Sequence, residues 1–128
     1  MEIDVERITI SSYFIIALSH VLQPRAWVQF FVNLRDKGHA GVFAVAFMHL
    51  PFGLLIVSFH NVWTGLPALV TVVGWANVCK GGLYFLFPAV GMKSLGRVRP
   101  EKAYEFVIVG AVLLVILSSL TAYHMIAA

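Results

Sequence analysis

Residues 103–126 read AYEFVIVGAVLLVILSSLTAYHMI, and from Val107 to Leu117 the run is almost wholly aliphatic. Wound as a helix, this stretch extends roughly 36 Å at about 1.5 Å per residue, enough to cross a hydrocarbon layer of about 30 Å. The rest of the chain is of the same kind. Its 128 residues are 60% hydrophobic and 12% charged, with a mean hydropathy of +0.89. A soluble domain of this size has a high surface-to-volume ratio and needs more polar residues than that. An ordinary soluble enzyme, a disordered chain and a disulfide scaffold are therefore excluded. The single cysteine, Cys79, lies in an apolar segment and has no partner for an internal disulfide. The composition predicts an all-α integral membrane protein of one domain.

Outward from that span, three more apolar segments mark spanning helices, at about 8–22, 39–60 and 66–87, with the last at 103–126. The first, from Ile8 to Leu22, is short, roughly 22 Å. It must borrow Ile3 and Val5 or sit in a thinned bilayer. Pro24 stops it, and Pro88 closes the third. Between the first two, Trp27, Phe30, Phe31 and Leu34 recur at helical spacing among Gln29, Asn33, Arg35, Asp36 and Lys37. This predicts a short amphipathic helix over about 25–35, lying at the headgroup level. The expected fold is a polytopic membrane four-helix bundle, built as two helical hairpins, with this interfacial helix in the first cytoplasmic loop. The brief connection from His60 to Gly65 makes the second and third helices antiparallel neighbours.

Seven basic residues, Arg25, Arg35, Lys37, Lys93, Arg97, Arg99 and Lys102, fall in the first and third loops. The N-terminus, the second loop and the C-terminus carry only Arg7. By the positive-inside rule both basic loops face the cytoplasm and both termini lie outside. The net charge of +3 thus reports orientation and not nucleic-acid binding. The acidic start, Glu2, Asp4 and Glu6, lacks the basic region and cleavage site of a signal peptide, so the first helix is expected to be retained.

The two halves of the chain share a plan. Each is a helix, a Leu-x-Pro stop (Leu22 and Pro24; Leu86 and Pro88), a basic loop with Arg35 or Arg99, and a helix reaching His60 or His124. Corresponding positions are separated by half the chain length. Because both halves start on one side, this is a parallel repeat and not an inverted one.

Lys80 is the outstanding polar residue within a span, where a lysine costs roughly 2.5–3.5 kcal/mol on insertion scales. Its stem can snorkel to the headgroups and a lipid phosphate, or it can pair inside the bundle. Gly74, Asn77, Gly81 and Tyr84 share one narrow face beside it. Gly53, Gly74, Gly81 and Gly110 are candidate points of close helix packing, and Asn77 can hydrogen-bond across such a contact. His49 and His60 share a face of the second helix about 16 Å apart, too far to hold one metal. Either is a candidate haem or pigment ligand, although a histidine satisfied by a neighbouring carbonyl is the simpler expectation. Pro51 offers one such carbonyl, at Phe47. On the fourth helix Gly110, Leu114, Leu117, Thr121 and His124 form a packing seam. No catalytic residue and no metal site is identified. No Asp or Glu is expected deep in any span, Glu105 standing only at the start of the fourth helix, which weighs against a proton-coupled carrier.

Gly53 to Val57, His60-Asn61-Val62-Trp63, Gly74-Trp75, Lys80-Gly81 and Leu86-Phe87-Pro88 together form a pattern. It resembles a group of small, functionally uncharacterised bacterial four-helix integral membrane proteins with an HNVW, GW, KG and LFP core. The resemblance covers the middle third of the chain and implies a bacterial inner-membrane location without a particular activity. Three functions remain open. The first is a non-enzymatic protein that forms a homo-oligomer or serves as an accessory or assembly subunit among other membrane subunits and lipids. The second is a small transport or channel module with Asn77 and Lys80 lining a path. The third is a haem- or pigment-binding subunit using His49 or His60.

Overall fold

In the computed structural model, which describes residues 1–127, every regular element is helical. α1 spans Glu2–Leu22, α2 Pro24–Asp36, α3 His39–Phe59, α4 Ala68–Leu86 and α5 Pro88–Leu95. A 3-10 turn, Pro100–Lys102, precedes α6, Tyr104–Ala127. Four of these, α1, α3, α4 and α6, are long and apolar enough to cross a membrane. Their outer surfaces are covered with exposed apolar side chains, among them Phe47, Val72, Leu83, Val112 and Val115. In water that surface would be costly, and against lipid it is not.

α1 is longer than expected. It begins at Glu2, so its 21 residues rise roughly 31 Å and need no local thinning of the bilayer. The extension also turns Glu6 from a tail residue into a buried side chain of the helix. The amphipathic helix forms as α2, burying Val28 and Leu34. A second short helix, α5, lies where only a basic loop was expected. Both arise the same way. Proline cannot continue a helix but suits the first turn of the next one, and it drives the residue before it out of the α region. Gln23 accordingly adopts φ −129° and ψ 52°, and Phe87, at the equivalent position of the second half, adopts φ −133° and ψ 74°. Each donates its backbone N–H four residues back, to Ser19 and Leu83. The Leu-x-Pro elements are hinges that restart the helix and not simple stops.

Helix pairing obeys the repeat. The close pairs are α3 with α4 and α1 with α6. Exchanging the halves (α1 for α4, α2 for α5, α3 for α6) carries one pair onto the other. The second and third helices, expected as neighbours from their brief connection, are the pair α3 and α4, whereas α1 with α3 is a looser association. Glycine explains the tight pairs. A Cβ on Gly53 would stand 2.6 Å from the Val78 nitrogen, and one on Gly110 2.6 Å from the Ala17 carbonyl oxygen. Gly74 and Gly81 likewise leave no room beside Ile56 and Leu50. All four candidate packing glycines therefore lie at close helix-to-helix approaches. Of the α6 seam, Gly110 and Leu117 are buried, Leu114 and His124 are half-buried and Thr121 is exposed, while Leu120, outside the seam, is buried.

Two clusters fill the interior. At the end where the chain starts, Val5, Ala17, Ile56, Val70, Leu117 and Leu120 pack together. At the opposite, basic end, Leu34, Val42, Val45, Ala46, Tyr84 and Leu95 do the same. There Arg35 Nη1 donates to the Val98 carbonyl at 3.1 Å and ties the two basic loops together.

Candidate functional site

On α1 the residues Val5, Glu6, Thr9 and Ala17 are buried on one face. Glu6 retains 4% of its surface, deep among apolar groups. An unpaired carboxylate in such a place is prohibitive, so its partners decide its chemistry. His60 Nε2 lies 2.6 Å from Oε1, and His124 Nε2 lies 2.6 Å from Oε2. His60 follows directly after α3, where the backbone turns extended (φ −141°, ψ 107°) and swings the ring inward. It is completely buried. His124 comes from the last turn of α6 and remains partly accessible.

The hydrogen bonds around Thr71 fix the His60 ring in place. Thr71 Oγ1 donates its one proton to the Val62 carbonyl at 2.7 Å and accepts the Val62 N–H at 3.0 Å. His60 Nδ1 lies 2.9 Å from the same oxygen, and its Nε2 makes the short hydrogen bond to Glu6 Oε1, so both ring nitrogens are engaged. On the other oxygen the His124 approach lacks hydrogen-bond alignment, which leaves Glu6 Oε2 and His124 Nε2 buried without a hydrogen-bond partner.

Thr71, His60 and Glu6 have the composition of a hydroxyl–imidazole–carboxylate triad, yet the hydroxyl is no nucleophile. Its proton is committed to Val62 and the residue is fully buried. Among the described residues, no three of His, Cys, Asp and Glu are arranged to hold a metal ion.

Beside this cluster lies a cleft of about 820 Å³ between α1 and α6. Glu6, His124, Thr121 and Arg7 contribute polarity, and Ile3, Ile10, Phe14, Ile15, Val62 and Pro67 supply apolar wall. That size suits a small amphipathic molecule.

The other candidates are placed apart. Asn77 is buried, and its Nδ2 donates to Tyr13 Oη at 2.7 Å and to the Val73 carbonyl at 2.8 Å. Lys80 is exposed on the outside of α4, its ammonium 5.8 Å from the centre of the Tyr84 ring. The two therefore line no common path within this chain. His49 is half-buried and bonds through Nδ1 to the Val45 carbonyl at 2.7 Å, and His20 bonds likewise to Ile16. The carbonyl used is that of the preceding turn, not the Phe47 carbonyl freed by Pro51. His60 has both ring nitrogens engaged and offers neither to iron.

Glu6, Thr71 and Tyr13 were not anticipated. A signal for two of them exists: Glu6, Thr9, Tyr13, Ala17 and His20 recur at steps of three and four, a polar and small stripe on one face of a helix. It is missed when the helix is started at Ile8.

Comparison with protein-family models, with curated proteins and with solved structures finds no match to this chain.

Proposed function

We propose that the chain is a non-enzymatic, four-span protein of the bacterial inner membrane that binds a small lipid-soluble molecule in the cleft between α1 and α6. The Glu6–His124 pair receives the molecule's hydroxyl or amine, and Ile10, Phe14 and Val62 hold its apolar body. One observation carries this reading: Glu6 and His124, whose Oε2 and Nε2 stand 2.6 Å apart without hydrogen-bond alignment, both belong to the wall of a mostly apolar cleft. The confinement of seven of nine Lys and Arg to two loops at one end supports both termini lying outside the cytoplasm.

A direct test is to titrate the purified protein in detergent with dodecylamine, dodecanol and dodecanoate. The amine and the alcohol are expected to raise its unfolding temperature, the carboxylate to leave it unchanged, and Glu6→Gln to abolish the distinction. Equal responses to all three amphiphiles reject the proposal.

A second reading, self-assembly or service as an accessory subunit, is favoured by α6. Its exposed face carries a shallow groove lined by Leu114, Val115, Ser118, Ser119 and Ala122, of which the small Ser118, Ser119 and Ala122 permit close approach of another helix. Native mass spectrometry from bacterial membranes reads this directly, and a strictly monomeric species without other subunits rejects it.

A further inference from the structure

The exposure of Lys80 on the outer face of an apolar helix needs its own account. Tyr84 lies one turn further along α4, and the ammonium sits near its ring, so the lysine stem runs toward the basic end of the bundle. There α5 turns back beside α4, because Pro88 restarts the helix immediately after Phe87. The result is a groove of about 530 Å³ with Lys80 on one wall and Lys93 and Arg97 on the other. No carboxylate lines it. Among the described residues the ion pairs engage Arg35 and Lys102 but none of these three cations. Three like charges around one groove at the edge of a membrane repel one another unless an anion lies between them. The remaining lining is amphipathic: Leu83 and Val90 are 43% and 42% exposed, at the mouth of the same groove.

We propose that this α4–α5 groove is a binding site for an anionic phospholipid. Its phosphodiester sits among Lys80, Lys93 and Arg97, and its acyl chains run over Leu83 and Val90. A free phosphate would meet the same cations, but it would leave the apolar mouth uncovered. A lipid covers both, and the bilayer supplies it at high local concentration.

The test uses the full chain in detergent, titrated with dilauroyl phosphatidylglycerol or dilauroyl phosphatidylcholine and read by native mass spectrometry. The anionic lipid is expected to be retained preferentially. Lys80→Leu is expected to weaken its retention about fivefold, the effect of one basic residue at an anionic surface, and to leave the zwitterionic lipid unchanged. This substitution removes a charge from an apolar helix, so the fold is not endangered. Lys93→Gln and Arg97→Gln, on the opposite wall, are expected to act in the same direction. Equal retention of the two lipids, or indifference to all three substitutions, overturns the proposal. So does displacement of phosphatidylglycerol by millimolar inorganic phosphate, which would assign the groove to the free anion.

Discussion

His60 and His124 approach the two oxygens of a single carboxylate, Glu6, each at 2.6 Å. They occupy the same position in the two halves of the chain, at the ends of the equivalent helices α3 and α6. Glu6 has no such counterpart, since the corresponding position of the second half is Val70. One acidic group thus serves two equivalent bases. Tyr13 and Asn77, likewise equivalent positions of the two halves, hydrogen-bond to each other directly.

The two contacts on Glu6 are unequal, and a double-mutant cycle will show it. Glu6–His60 is aligned and fully buried, whereas His124 approaches off-axis and is partly accessible. Glu6→Ala is expected to destabilise the protein by about 1–3 kcal/mol, the cost of leaving the buried His60 Nε2 without its partner. Coupling of Glu6 to His60 should exceed coupling to His124 within the usual range of roughly 0.5–3 kcal/mol. Denaturant unfolding in mixed micelles measures both, and equal couplings would contradict the geometry.

Thr71 is expected to matter through its oxygen and not through its methyl group. Thr71→Val leaves His60 Nδ1 and the Val62 N–H without their Thr71 partner, at a cost of about 1–3 kcal/mol. Thr71→Ser keeps the oxygen and should recover most of it. Hydrogen exchange at the Val62 amide, faster in the valine variant alone, provides the local check.

Glycines at the α3–α4 contact and away from it should respond in opposite directions. Gly53→Ala forces a methyl against the α4 backbone and should cost about 1–3 kcal/mol. At Gly82 no atom lies within 4 Å of an added Cβ, so Gly82→Ala should be neutral or stabilising by up to ~1 kcal/mol through helix propensity. Unfolding midpoints of the two variants, compared in one detergent, decide the matter.

Tyr13→Phe removes one hydrogen bond between α1 and α4 and leaves Asn77 its bond to the Val73 carbonyl. The expected loss is small, about 0.6 kcal/mol, typical of such bonds within membranes. A loss of several kcal/mol would show that Asn77 has no adequate second partner.

The sequence by itself determined the helical class, the four apolar segments, the amphipathic α2 and the four glycines at close contacts. These are local or periodic properties: run length, the spacing of Trp27, Phe30, Phe31 and Leu34, and the absence of a side chain at Gly53 or Gly110. It also held the plan shared by the two halves, in the hinges before Pro24 and Pro88. The short His60–Gly65 connection already paired α3 with α4, but tertiary structure alone decided that α1 lies against α6, and therefore that Glu6, His60, Thr71 and His124 meet. No local rule joins residues 6, 60, 71 and 124, because their encounter depends on α1 lying against α6 and α3 against α4. The same holds for Lys80, which is anomalous within its own helix and acquires Lys93 and Arg97 as neighbours only when α5 folds back beside it.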